Sequence, residues 1–550
     1  EKAMRNVWSP AQHTPVEGYE AMCANFHWQI PETFNFATDV IDRWATEQDG
    51  PALIWQNAAG DQRTFSYSEL ARRSNQLANV LRDQGVEKGD RVIVMLPRLP
   101  EWFISVIATM RIGAVPIPCI EMLTLRDIEY RVENAEAKAV ICRPEHAAKF
   151  SAVEGAIPVK IALGRMAGWL DWYDEVPRAP HTITPATVRA EDPAIMYYTS
   201  GSTGHPKAVI HAARAIYAWR VSAIYWLDLR PGEVIWCTAD TGWSKAGTSI
   251  IFGPLSCGAC SFFFDGAFDP KERPRLLRKH KVTVYCAPGT ELSRVVNEVQ
   301  RGDLGSLRRV VTAGEAMNPI VAERWQEATG IRIDEAYGQT EALMIALNYP
   351  NEPVRYGSMG RPSPGSDLDV IDSSGRRLPP GREGDLALKV PHPQLMLGYW
   401  KDPNKTDSCF VDGPDGRWYL TSDRAEKDAE GYFWYRGRSD DVINSAGYRI
   451  GPIEVENALV EHPAVQACAV VASPDVERGE IVKAFVVLRA GVEPTPELTR
   501  QLQDHVKTVT APYKYPRAIE YIAELPMTIA GKIRRRVLRD LELSRQAEKK

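Results

Sequence analysis

RVIVMLPRLPEWFISVIATMRIGAVPI, residues 91–117, carries the pattern on which the fold turns. Arg91–Leu96, apolar from Val92 onward, reads as a strand covered on both faces. Glu101–Ile112 spaces its apolar residues as a helix does and stops at Gly113, after which Val115–Ile117 resumes as a strand. Strand, helix and strand in that order make a parallel crossover unit. Further strands are expected at Ala137–Cys142, Val282–Ala287 (VTVYCA), Leu307–Thr312 (LRRVVT) and Ile331–Ala336, with amphipathic segments between them, through to residue 435. The fold class is α/β, with mixed sheets and helices and mostly parallel strands. Ligands of such folds sit beyond the carboxyl ends of the strands, so the turns there are the first candidates for chemistry.

The texture changes at GRSDD, residues 437–441. Behind it stand a helix at Ile453–Val460, strands at Val465–Val471 and Ile481–Leu488, a helix from Pro496 capped by Thr495, and a strand at Ala518–Ile522. A chain of 550 residues exceeds what one core supports. Two domains are therefore expected: a large N-terminal region of several subdomains over 1–439, and a small α+β domain over 440–550.

With 66 Lys+Arg against 71 Asp+Glu, a net charge of −5, the chain exerts no overall attraction on nucleic acid or an acidic membrane. The basic run Lys532–Arg539 reads as a solvated helix face. The 9 cysteines have no framework spacing, which fits a reducing compartment. Cys257 and Cys260 read as two small buried residues rather than a metal or redox pair. No apolar run reaches the roughly 18 residues of a membrane span, so integral membrane association is not expected. The chain begins at Glu1 without a secretory signal pattern, and a trimmed targeting segment stays open. Expected locations are the cytoplasm of a bacterium or, for a eukaryotic chain with its transit peptide removed, the mitochondrial matrix.

The sharpest local signal is Tyr197-Tyr198-Thr199-Ser200-Gly201-Ser202-Thr203-Gly204-His205-Pro206-Lys207. An apolar run, Ala194–Tyr198, ends in a loop of glycines and hydroxyl residues closed by a lysine. Glycines let backbone N–H groups converge on an anion, hydroxyls add donors and the lysine adds charge. Pro206 before the lysine, with no Gly-Lys-Ser/Thr, excludes a Walker A loop.

YYTSGSTGHPKAVIH resembles the signature of the acyl-adenylate-forming superfamily, which holds acyl-CoA synthetases, nonribosomal-peptide adenylation domains and luciferases. Further motifs follow in the family's order: Glu335-Ala336-Tyr337-Gly338-Gln339-Thr340-Glu341, Tyr419–Asp423, Gly437–Asp441 and Gly531-Lys532. Three stretches are most similar to medium-chain acyl-CoA synthetases: NSAGYRIGPIEVENALVEHPAV from Asn444, SPDVERGEIVKAFVVL from Ser473 and HVKTVTAPYKYPR from His505. The resemblance implies that ATP, Mg²⁺ and coenzyme A serve a small carboxylic acid, first making an acyl adenylate and pyrophosphate, then acyl-CoA and AMP.

The resemblance also implies roles. Lys532, Thr340, Glu341 and Lys207 form the catalytic set, with Lys532 offered by the small, mobile domain during adenylation. Thr199, Ser200, Gly201, Ser202, Thr203, Gly204, His205, Pro206 and Lys207 hold the phosphates. Glu341 and Thr203 place Mg²⁺, a hard cation that prefers oxygen ligands. Gly314-Glu315-Ala316 and Glu335–Gln339 lie along the nucleotide base. Asp423 takes the ribose hydroxyls, and Arg438 and Arg449 contact the nucleotide. Asp440 is the hinge about which the small domain turns between the two steps. That turn brings in Ala446-Gly447-Tyr448, with Arg478, Lys507, Tyr515, Pro516 and Arg517 on coenzyme A.

The acyl pocket is expected between Asp240–Ser249 and the strand ends at Cys286 and Ala313. Trp243 walls it, Gly247 and Gly338 leave room in it, and Lys245 either closes its far end or faces out. Acetate-specific relatives carry tryptophan where this chain has Gly338. Gly289, where a proline is expected, loosens the neighbouring loop. Medium-length, branched, cyclic and aromatic acids all stay open. An enzyme that loads a carrier protein is the alternative, and a non-catalytic binding protein is a more remote one. Several bacterial relatives are controlled by lysine acetylation, so an acetyltransferase and a deacetylase acting on Lys532 are expected partners. Homo-oligomerisation is left open.

Overall fold

The computed structural model describes residues 18–548 apart from 200–204, 300, 301, 303, 315, 316, 447, 511 and 529–531; of Arg449 it describes the backbone alone. The opening segment folds as expected. Arg91–Met95 is a strand, Pro100–Arg111 a helix that ends before Gly113 at φ +74°, and Val115–Pro118 the next strand. These strands belong to a five-stranded parallel sheet, in which Arg91–Met95 pairs with Val115–Pro118 on one side and Ala139–Cys142 on the other. Every residue of the helix Pro100–Arg111 is buried. Its apolar residues cover its whole circumference, so it belongs between layers rather than on a surface. Arg111 is tolerated there because Asp42 accepts from its guanidinium at 2.6 and 2.9 Å and Ser74 Oγ at 3.0 Å.

A second sheet has nine strands. Its inner six, from Pro51–Asn57 through Cys260–Asp265, Val234–Cys237, Val284–Cys286 and Arg309–Ala313 to Ile333–Gln339, are parallel. Gln62–Ser66 closes one edge, and Leu343–Leu347 with Arg361–Pro362 closes the other, all antiparallel. The largest apolar core joins the helix Pro100–Arg111 to this sheet and to Ala213–Tyr225.

Two regions depart from the expected parallel pattern. Pro193–Thr199 pairs antiparallel with Lys207–Ala212, and Gly398–Tyr399 completes a three-stranded sheet. The glycine- and hydroxyl-rich loop therefore tips a hairpin rather than a crossover. Residues 368–438 form an antiparallel five-stranded sheet, ordered Leu368–Ile371, Gly384–Lys389, Gly416–Lys427, Phe410–Gly413, with Phe433–Arg438 also on Gly416–Lys427. Its turns carry glycines at positive φ, +75° at Gly375 and +86° at Gly431, which suits hairpins and excludes long crossovers.

The smaller C-terminal domain pairs the long strands Val465–Asp475 and Gly479–Leu488, with Ile443–Ser445, Tyr448–Ile450 and Ala518–Tyr521 alongside. Helices Pro452–Glu461, Pro496–Val509 and Arg535–Ala547 cover it. Thr495 Oγ1 accepts from the Leu498 amide at 3.1 Å, the expected cap. This domain has its own core, running from Ile443 to Tyr521, whereas the core of the antiparallel sheet ends at Tyr435. No helix among the described residues is long and apolar enough to cross a membrane.

Candidate active site

The hairpin Pro193–Thr199/Lys207–Ala212 sets Thr199 and Lys207 opposite each other, and Thr199 Oγ1 donates to the Lys207 carbonyl at 3.4 Å. Ser200, Gly201, Ser202, Thr203 and Gly204 lie outside the described residues. At the loop's far end His205 stacks on Tyr130, with centroids 4.3 Å apart, and the Tyr130 hydroxyl donates to the Pro206 carbonyl at 3.3 Å. Lys207 Nζ sits 5.0 Å over the Tyr399 ring. Burial holds its ammonium below the usual lysine range, Lys405 adds to that, and Glu341 opposes it. The burial of Glu341 pushes its carboxyl up, while Lys207 and Arg438 pull it back. A carboxylate and an ammonium thus face one space.

Thr340 is fixed by His211, whose Nε2 lies 2.6 Å from its carbonyl, and by Ser244 Oγ at 3.1 Å from its Oγ1. Burial keeps His211 neutral, its imidazolium pushed down to about 4. Gln339 donates from Nε2 to the Thr421 carbonyl at 2.9 Å and accepts from Tyr419, which ties the nine-stranded sheet to the antiparallel one. Two non-glycine residues here have positive φ, Leu343 at +58° and Ser422 at +63°. Strain of this kind gathers at binding sites.

Asp423 is the centre of the arrangement. It is 5 % exposed and accepts from Tyr337 at one oxygen, and from Tyr435 at 3.3 Å and Arg438 at 3.4 Å at the other. Burial raises its carboxyl, and Arg438, the two tyrosines and Lys532 lower it. Lys532 comes from the C-terminal domain, where its amide donates to Thr528 Oγ1 at 3.0 Å and Met527 bridges Ile533. Gly531 lies outside the described residues. The structure thereby links Lys207, Glu341, Asp423, Arg438 and Lys532 through their charges, with Thr340 next to Glu341 in the chain. The strand Arg309–Ala313 ends at Gly314, φ +105°, with open space where a Cβ would stand. Glu315 and Ala316 lie outside the described residues. Buried Glu335 accepts from the Met317 amide at 3.3 Å, and Ala336 is buried in its strand.

The residues expected on coenzyme A fall into two groups. Lys507 and Arg517 both lie over the Tyr515 ring, at 4.2 and 4.8 Å, and the Pro516 carbonyl accepts from Gln503 at 2.9 Å. The Ala446 amide donates to the Arg478 carbonyl at 3.0 Å, and Tyr448, 54 % exposed, stacks on Tyr513. Gly447 and the Arg449 side chain lie outside the described residues. Asp440 is joined to the last helix, where Arg539 Nη1 donates to its carbonyl at 2.7 Å and to Asp441 Oδ1 at 2.9 Å.

Three readings of the sequence need correction. A Cβ at Gly338 would stand 2.2 Å from the Leu343 carbonyl oxygen, so backbone, not open pocket, occupies that side. A Cβ at Gly247 would stand 2.6 Å from the Tyr197 hydroxyl, so that room is also filled. The segment Lys532–Arg539 is only in part the solvated helix face expected: Lys532, Arg534 and Arg536 are exposed, but the helix begins at Arg535 and that residue grips Glu456 through both guanidinium arms. Lys245 turns inward, donating to the Ala313 carbonyl at 3.0 Å. Trp243 is half-buried and Cys286 fully buried at a strand end. Tyr435, His211, Tyr399, Ser244 and Tyr130 escaped the sequence reading because each meets its partner only through long-range packing.

Comparison with known proteins bears on this geometry. Residues 41–400 match the family model described as AMP-binding enzyme, and residues 454–532 match AMP-binding enzyme C-terminal domain. The chain is 40% identical over 545 residues to mitochondrial acyl-coenzyme A synthetase ACSM3 of Mus musculus, covering 95% of this chain and 93% of that protein. It is 40% identical over 525 residues to the uncharacterized acyl-CoA ligase YtcI of Bacillus subtilis, covering 94% and 98%. Among solved structures, the anthranilate CoA ligase AuaEII in complex with anthranoyl-AMP superposes with a TM-score of 0.83 at 29% identity, covering 94% and 98% of the two chains.

Proposed function

Because the chain belongs to the AMP-binding enzyme family and is an AMP-forming acyl-CoA ligase that uses ATP, Mg²⁺ and coenzyme A, we propose that its acid is a medium-length, branched, cyclic or aromatic one, activated at the Asp423–Lys532 cleft. The observation that carries the site assignment is that Lys532, from the small domain, acts on the charge of Asp423, which Arg438 contacts and which is in turn linked through Glu341 to Lys207.

In the first step a carboxylate oxygen of the acid attacks the α-phosphorus of ATP, and the bond to pyrophosphate breaks. The acid is already ionised, so no base is required. What the step requires is positive charge where anions converge. Lys532 supplies it at the α-phosphate and carboxylate, and Lys207 holds the departing pyrophosphate. Asp423 accepts from the ribose hydroxyls, and Arg438 opposes the rise that burial imposes on its carboxyl. Mg²⁺ neutralises phosphate charge when bound, and the buried carboxylate of Glu341 is the hard oxygen donor suited to hold it.

In the second step the coenzyme A sulfur attacks the acyl carbon and AMP leaves. Positioning and exclusion of water suffice, because the acyl adenylate is already reactive. We assign the division to 1–439 and 440–550, with Asp440 as the hinge. Rotation there withdraws Lys532 and brings in exposed Ala446 and Tyr448, while Lys507 and Arg517 offer charge to the phosphates of coenzyme A. Exposed Lys532 is also the lysine we assign to acetylation, which removes its charge.

The test is pyrophosphate release across acids from acetate to dodecanoate, with isobutyrate, cyclohexanecarboxylate and benzoate, each with and without coenzyme A. CoA-dependent turnover peaking in one acid class supports the reading. Pyrophosphate without any acyl-CoA overturns it in favour of carrier-protein loading.

A further inference from the structure

The carboxyl ends of Val234–Cys237 and Val284–Cys286 bring two thiols together. The strands are parallel neighbours with Cys237 and Cys286 as register partners, so both side chains leave the same face of the sheet. Both are buried, and the Cys237 S–H donates to the Cys286 sulfur. That donated proton lowers the Cys286 thiol, burial opposes it, and the Lys245 ammonium and the Ser249 hydroxyl add to the lowering; the outcome is about 7. Other buried thiols go the opposite way, Cys119 to about 11 and Cys257 and Cys260 to about 12. Within the pair Cys286 is held toward its thiolate and Cys237 toward its thiol, and thiolate is the reactive form. Lys245 beside it is half-buried.

We propose that Cys286 and Cys237 form an oxidisable thiol pair whose co-substrate is a small hydroperoxide. The Cys286 thiolate attacks one peroxide oxygen, the O–O bond breaks, and the departing hydroxide takes up a proton as water. Cys286 is left as a sulfenic acid. The Cys237 sulfur then attacks the Cys286 sulfur, the S–O bond breaks and a second water leaves. Two thiols have lost two electrons and two protons, and hydrogen peroxide has become two waters. Neighbouring strands lie about 4.8 Å apart, inside the range of roughly 4.4–6.8 Å that a disulfide spans between Cα atoms. Closing it requires the strand ends to twist together, and a strained bond of that kind is readily reduced again. The link would also remove the thiolate from beside Lys245.

The cross-link does not depend on which acid the enzyme takes; only its effect on turnover rests on the acyl-pocket reading. The full chain is treated with hydrogen peroxide, free thiols are blocked under denaturing conditions, and unreduced peptides are mapped by mass. The expected result is a Cys237–Cys286 linked peptide that dithiothreitol abolishes. In Cys237→Ser the same treatment should leave Cys286 as a sulfenic acid captured by dimedone. Oxidation confined to the partly exposed Cys23 and Cys409 would overturn the proposal, as would Cys286 reaching the sulfinic state in the unsubstituted protein without a link. These readouts on the unsubstituted chain stand even if a variant folds poorly. Loss of pyrophosphate release on linking, restored by dithiothreitol, upholds both proposals. A link with unchanged turnover upholds the thiol pair and counts against the acyl-pocket reading.

Discussion

Asp423 shows how much a single carboxylate can gather. Two tyrosine hydroxyls and a guanidinium from one domain meet at it, and the ammonium of Lys532 reaches it from the other. Replacing it with alanine strands the Tyr337 and Tyr435 hydroxyls, and a buried hydroxyl without a partner costs about 1–3 kcal/mol. Asp423→Ala should therefore lower the melting temperature as well as raise the KM for ATP, and calorimetry beside ATP titration reads both. Lys532 is exposed, so its loss should spare the fold. Lys532→Ala should slow adenylation by about 10²–10³-fold while thioester formation from preformed acyl adenylate stays near the unsubstituted rate. Equal losses in both half-reactions would remove Lys532 from the role given to it. Asp423 and Lys532 were legible because each stands in a short motif. Tyr435 was not, because its hydroxyl reaches Asp423 only once two strands pair in register.

At the scale of elements, what decides legibility is whether the information lies inside one stretch. Arg91–Val115 declared its strand and helix because periodicity and a stop signal lie side by side. The sheet over 368–438 was read into the crossover pattern, although Gly416–Lys427 joins Phe410–Gly413 and Phe433–Arg438 through short turns carrying Gly413, Gly416 and Gly431. Gly338 makes the same point more finely. Its value was read as room, yet its strand bulges there against Leu343, and the carbonyl 2.2 Å from the missing Cβ leaves space for hydrogen alone. Gly338→Ala should thus destabilise the protein by about 1–3 kcal/mol through overpacking, seen as an earlier urea midpoint. A purely pocket-lining glycine would instead change the preferred acid with no change in stability.

For the whole molecule, two polar features govern how the domains sit and how they respond to acid. Arg539 clasps the Asp440 carbonyl and the Asp441 side chain, tying the last helix to the hinge. Arg539→Gln removes a tie worth about 1 kcal/mol at most. Faster tryptic cutting at Arg436 and Arg438, with slower adenylation and unimpaired thioester formation, is the expected pattern. Acid sensitivity should come partly from His392, buried beside Ser366 and Gln394 and pushed down to about 3 by burial. The unfolded chain takes up that proton near pH 6.5 while the folded one declines it. Stability must then fall as pH drops from about 6.5 toward 3. His392→Gln removes this slope, so a thermal melt series over that range should be flatter for the variant.

The separation of the apolar interiors between Tyr435 and Ile443 has a consequence for how such a protein changes over generations. Among the described residues the two interiors are separate apolar clusters. The covalent crossing near Asp440 therefore works as a leash, keeping the smaller body at high effective concentration over the larger. On the proposed reading the choice of acid resides on one side of the leash and the choice of thiol on the other. Each can drift, or be exchanged for a relative's, without the other having to be repacked.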